Sequence, residues 1–213
     1  MTEAVLYDYW RSSAAYRLRI ALGLAGIPFR SVEVDLGTEA QRDAENLARN
    51  PQGLVPTLEL DGLTLTQSLA VIEYIDETRA AGFLPADAPG RARVRALSYA
   101  VAMEVHPICN QTVARHAADN SGGGITMESW MERFMSRGFA AIERMLDHPD
   151  TGRYCHGDSV TMADILLIPQ LYNVRRWQVD ISGHRRIKAV ADALEALPAF
   201  AAAHPDNFRP AGR

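Results

Sequence analysis

Between Trp10 and Ser13 the chain changes its period, and that change restricts the fold more than any other feature. Residues 4–10 (AVLYDYW) are apolar and aromatic and read as a strand. From Ser12 onward Leu18, Ala21, Leu22 and Ala25 recur at i, i+3, i+4 and i+7, one face of a helix. Gly26 and Pro28 supply the stop. A strand that hands over to a helix within two residues commits the chain to an α/β start. FRSVEVDL (29–36) then alternates as a strand, and 38–49 is polar and helical. NPQG (50–53) is a turn, and VPTLEL, a DG turn and LTLT form a hairpin over 55–66. A helix over Gln67–Ala80 completes the order β-α-β-α-β-β-α. AGFLPADAPG (81–90), with its prolines and glycines, reads as a linker. Helical patterns follow over 91–118, 126–147, 161–176 and 184–203. The expectation is an α/β domain over 1–83 and an all-helical domain over 84–213.

A chain of 213 residues, 47% hydrophobic and 23% charged, can bury a real core in each part. The net charge of −4 provides no basic face, so nucleic acid is not expected as a partner. The opening MTEAVLYDYW has neither a basic n-region nor a long apolar run, so no signal peptide and no membrane association are expected. Cys109 and Cys155 form no metal or redox motif, which fits a reduced, cytoplasmic setting. Of the 22 cationic side chains only Lys188 is lysine, so an arginine at any one place is weak evidence of a special need for guanidinium.

Two helix starts carry hydroxyls. Ser12-Ser13 opens the first helix and Gln67-Ser68 the third. Serine at either place is a good N-cap, and a helix N-terminus also attracts an anion such as a thiolate or a carboxylate. Val55-Pro56 lies between them in sequence. It is either a proline opening a strand or a cis bond that turns the Val55 backbone toward an extended peptide. Two anion sites and a backbone-pairing position on one α/β unit suggest a peptide ligand with a carboxylate at one end and a thiol at the other.

The residues that carry a resemblance are WRSSAAYRLRIALGLAGIPF, LVPTLEL, LTQSLAVIEYIDE and GDSVTMADILLIPQ. Together they resemble the zeta class of the cytosolic glutathione transferases, over nearly the whole chain. The resemblance implies a thioredoxin-like N-terminal domain followed by an all-α domain, with glutathione as cofactor and a homodimer as the assembly. It implies cis–trans isomerisation of maleylacetoacetate, or of maleylpyruvate, both acidic unsaturated diketones. Ser12 would then hold the glutathione thiolate, with Ser13 and the Ala14 N–H beside it. Val55 would bond the cysteinyl backbone, Gln67 and Ser68 the γ-glutamyl carboxylate, and Gln41 the glycyl end. Ala14 stands where the class often has cysteine. That departure weakens chemistry needing a protein thiol there and leaves isomerisation intact, because glutathione brings the sulfur.

The helical part offers EVHPICNQ (104–111). Pro107 should kink a helix there, and His106 and Asn110, four apart, should share a face turned toward the bound tripeptide. The spacing of His106, Cys109 and His116 fits no common zinc site. Thr161 with Asp164 is a capping box, assigned to folding. Arg175-Arg176 ends the same helix, where cations are favoured in any case. One of the two, taken here as Arg176, would grip the substrate together with Arg11, since guanidinium binds a carboxylate through paired bonds. A general glutathione transferase and a non-catalytic module of the same fold are the rival readings. Tyr7 and Tyr9 are taken as core or edge residues.

Overall fold

The computed structural model describes residues 3–210 and Gly212. The chain divides into two compact units, one of residues 1–83 with 196–213, the other of residues 84–195. The segment 196–213, assigned to the helical domain from the sequence, therefore belongs to the α/β unit.

In the first unit β1 (Ala4–Asp8), α1 (Ser13–Leu24) and β2 (Phe29–Glu33) form a β-α-β crossover with β1 and β2 parallel, Leu6 facing Ser31. A single 3₁₀ turn (Ala40–Arg42) and the short α2 (Ala44–Arg49) replace the helix expected over 38–49. The hairpin of β3 (Thr57–Leu60) and β4 (Leu63–Thr66) adds antiparallel, Leu58 opposite Leu6, and α3 (Ser68–Arg79) follows. The sheet order is β2-β1-β3-β4.

Helix α1 is not the one-sided amphipath its period suggests. Ala15 to Leu22 are all buried, Arg17 and Arg19 included. One side packs on α3 and another on α9 (Pro198–Ala202), which returns from the chain's end. A Cβ at Gly23 would sit 3.5 Å from that of Ala199. Beyond α9 a 3₁₀ turn (Pro205–Phe208) stacks Phe208 on Phe29, ring centres 6.2 Å apart, and Arg19 lies 4.4 Å over the Phe208 ring.

The second unit is helical: α4 (Ala88–Tyr99), α5 (Gln111–Asp119), α6 (Met127–Met145), α7 (Met162–Arg176) and α8 (Arg185–Glu195). The single helix expected over 91–118 is interrupted. Residues Ala100–Val105 widen to a π-helical stretch, with His106 N–H donating to Val101, and α5 begins only at Gln111. Likewise 184–203 breaks before Pro198, which starts α9. Asp164 is fully buried and accepts from the Thr161 N–H, the Thr161 hydroxyl and the Cys155 N–H, each at 2.8 Å. It fastens the 151–161 loop to the start of α7. Arg93 of α4 fastens the same loop, donating to the Cys155 carbonyl and to Thr151 Oγ1 at 2.7 Å each.

Candidate active site

The turn between β1 and α1 is set by a buried ion pair. Arg19 donates to Asp8 Oδ2 at 3.1 Å and to the Trp10 carbonyl at 2.9 Å, both side chains being almost fully enclosed. Burial pushes the Asp8 carboxyl up to about 6 against the pull of Arg19. With Asp8 and Trp10 pinned from inside the helix, residues 9–12 must turn outward. Ser12 N–H donates back to Tyr9 at 2.8 Å, and Ser12 takes an extended backbone as N-cap of α1.

Ser12 Oγ accepts from the Ala15 N–H at 3.2 Å. The bond uses an oxygen lone pair and leaves the hydroxyl proton available to another acceptor. Ser12 and Ala14 are half-buried and Ser13 is buried. Beside them the exposed Arg11 lies over Trp10, 4.7 Å from the ring centre, and donates to the Tyr9 hydroxyl at 3.3 Å. Arg209, from the C-terminal segment, lies 5.3 Å over the same Trp10 ring. Tyr7, on the interior strand β1, donates to Glu59 at 3.2 Å and carries Arg49 4.1 Å over its ring.

The second helix start is bound to the body of α1. Ser68, buried as the first residue of α3, accepts from Arg17 Nη1 at 3.1 Å. Gln67 before it has φ 65° and ψ 104°, a strained backbone for a residue with a Cβ. Its side chain is exposed and donates to Gln52 Oε1 at 2.7 Å. The Val55–Pro56 bond is cis. The turn before it is shaped by the buried Asn50, which donates to the Leu54 carbonyl at 3.0 Å and accepts from the Gln52 N–H at 3.1 Å. Gln41 lies in the 3₁₀ turn, with its Oε1 buried and without a partner among the described residues.

In the helical unit the picture differs from the expectation. His106 follows the π-helical stretch, but Asn110 is in extended conformation and caps α5, accepting from the Thr112 N–H at 2.9 Å. The two therefore do not share a helix face, because the helix that would have aligned them ends between them. Trp130 donates to the Ile108 carbonyl at 2.9 Å and holds that break in place. Arg175 is engaged with Glu195 through two bonds, at 2.5 and 3.2 Å, while Arg176 lies 5.3 Å over the Trp177 ring. Burial pushes the Cys109 thiol up to about 11 and Cys155 well above its usual range. Neither is a ready nucleophile. Among the described residues no cluster of His, Cys, Asp or Glu could hold a metal, and no helix is long and apolar enough to cross a membrane.

The turn expected at 50–53 is present, whereas the buried roles of Arg17 and Arg19 are not among the expectations from the sequence. The signal was present: two arginines in an otherwise apolar helix, RLRIALGL. An arginine in this chain is weak evidence by itself, because all but one of its cationic side chains are arginine.

Family models for the glutathione S-transferase N-terminal domain and C-terminal domain match residues 3–77 and 128–203. The maleylacetoacetate isomerase of Rhizobium meliloti (strain 1021) is 57% identical over 210 residues, 98% of this chain and 99% of the relative. A solved maleylpyruvate isomerase, described as a bacterial zeta-class glutathione S-transferase, superposes with a TM-score of 0.91. It is 40% identical and covers 98% of this chain and 100% of its own. The maleylacetoacetate isomerase of Methylobacterium extorquens AM1, solved with bound malonate and glutathione, also scores 0.91. It is 36% identical, covering 98% of this chain and 99% of its own. A β-α-β-α-β-β-α unit that presents hydroxyls at two helix starts, followed by a helical unit and matched at this level over its whole length, places the chain in the glutathione S-transferase family, in its zeta-class branch of maleylacetoacetate and maleylpyruvate isomerases.

Proposed function

We infer that the protein is a glutathione-dependent isomerase that converts the cis double bond of maleylacetoacetate to trans. The observation that carries this reading is the Ser12 hydroxyl. Its oxygen is occupied by the Ala15 N–H, and its proton is left for an anion at the start of α1. The two protein thiols are buried and hard to ionise, so the sulfur comes from glutathione.

A C=C bond does not rotate unaided. Addition of the glutathione thiolate to one olefinic carbon turns it into a single bond and moves the electron pair into an enolate. The new single bond rotates, the enolate collapses, and the thiolate leaves, so glutathione is regenerated. The chain's own residues have three tasks. Ser12, with Ser13 and the Ala14 N–H, keeps the sulfur ionised. Val55, Gln67, Ser68 and Gln41 orient the tripeptide, Val55 through its backbone. Arg11 and Arg176 hold the substrate carboxylate and the enolate oxygen. Stabilising the thiolate by about 2 pH units makes most of it reactive at neutral pH, a gain of order 20-fold, about 2 kcal/mol. The guanidinium groups and orientation supply the larger share. His106 is proposed on the substrate side; Asn110, as a helix cap, contributes to its local frame.

Maleylacetoacetate is preferred over maleylpyruvate because the 57% identical relative is named for the former, and the proteins named for the latter are 30%, 40% and 41% identical. The reading includes a homodimer and a cytoplasmic setting. The test supplies glutathione with each maleyl compound and follows loss of the cis absorbance. Turnover of maleylacetoacetate at a higher kcat/KM than maleylpyruvate is the expected result. No glutathione-dependent turnover of either, with conjugation of a simple aryl halide intact, would instead make the protein a general transferase.

A further inference from the structure

Two arginines enter the core on α1, and they are treated differently. Arg19 has a carboxylate and a carbonyl to receive its charge, at 3.1 and 2.9 Å. Arg17 is 2% exposed and makes one bond, from Nη1 to Ser68 Oγ at 3.1 Å. Among the described residues its Nε and Nη2 have no partner. Burial alone pushes the guanidinium down to about 9, so it stays cationic at neutral pH. An enclosed charge with donors unmet is costly unless a partner arrives. This one sits against the first residue of α3, a helix of 12 residues whose free N–H groups already favour an anion.

We propose that Arg17 is a positioning residue for the carboxylate-binding end of the glutathione site and the source of its selectivity for the γ-glutamyl α-carboxylate. Nη1 occupies a lone pair of Ser68, so the Ser68 hydroxyl proton is turned to the ligand. The unmatched positive charge beneath the α3 start is balanced when the carboxylate binds. This rests on the assignment of Gln67 and Ser68 to that carboxylate made above. It adds that the affinity originates largely in a residue of α1 that is closed off from solvent.

The test compares glutathione with 4-aminobutanoyl-cysteinylglycine, which lacks only the α-carboxylate, by calorimetry on the intact protein. The wild type should prefer glutathione by about 30-fold or more, the value of a charge-assisted contact. In Arg17→Met the preference should fall to within about threefold, with the analogue bound as before. At saturating glutathione kcat should persist while KM for glutathione rises. Equal weakening toward both peptides, or undiminished selectivity, overturns the proposal. A wild type that does not distinguish the two peptides overturns the carboxylate assignment itself, a separate result. If Arg17→Met does not fold by circular dichroism, Arg17→Lys and Arg17→Gln decide. Lysine should retain most of the selectivity and glutamine lose it; the same selectivity in both refutes the role of charge.

Discussion

Ser12→Ala removes one oxygen that serves two purposes, and the two losses are separable. As N-cap, Ser12 accepts the Ala15 N–H at 3.2 Å. Loss of a serine cap costs about 1 kcal/mol, which for a chain of this size lowers Tm by about 2–4 °C. As donor, the hydroxyl stabilises a charged sulfur, and a bond to an ionised partner contributes about 1.5–3 kcal/mol, equivalent to about 1–2 pH units in the thiol. If bound glutathione ionises near pH 6.5, roughly three quarters is thiolate at pH 7. After the substitution the midpoint moves to about 7.5–8.5, leaving roughly 3–25%. The pH 7 rate at saturating glutathione should therefore fall about 3- to 25-fold and recover to within about threefold by pH 9.5. The assay is kcat against pH, with the thiolate absorbance of the binary complex titrated in parallel. A loss of rate that is the same at every pH, or an unmoved absorbance midpoint, would refute the assignment of the sulfur to Ser12 while leaving its capping role intact.

Asp164→Ala should remove about 3–5 kcal/mol of stability, because three buried donors lose their acceptor. Denaturant unfolding measures it, and activity per folded molecule should be unchanged. Arg176→Gln should raise KM for the maleyl substrate about tenfold or more, whereas Arg175→Gln should cost no more than about 1 kcal/mol of stability, since its pair with Glu195 is exposed. Steady-state kinetics on both variants would expose a reversed assignment. Gly138→Ala should destabilise by about 1–3 kcal/mol despite alanine's better helix propensity. The added Cβ overlaps the Val105 side chain, where α6 passes the widened turn; thermal unfolding reads the sign.

Most elements before residue 90 are legible because they announce themselves locally; the exceptions are the polar run 38–49, which folds as a 3₁₀ turn and the short α2, and the start of α4 at Ala88 inside the stretch read as a linker. Ser12 follows a strand and opens a 3.6-residue period, and the DG turn at 61–62 separates two alternating runs. The helix starts at Ser12 and Ser68 were legible for the same reason, since capping chemistry is local. What failed is decided at a distance. The break at 106–110 is held by Trp130 reaching the Ile108 carbonyl from α6, so a continuous periodic pattern hid an interruption and placed Asn110 on a face that does not exist. Arg17 could not be told from a surface arginine without knowing that both sides of α1 are covered, one by α3 and the other by the far end of the chain.

That covering has a temporal consequence. On the ribosome, β1 through α3 emerge first, yet α1 remains bare on the flank that Ala199 and the Phe208 turn later occupy. The α/β unit is thus closed by a segment that follows the whole helical unit in the chain, so its packing is completed only after that intervening unit has been made.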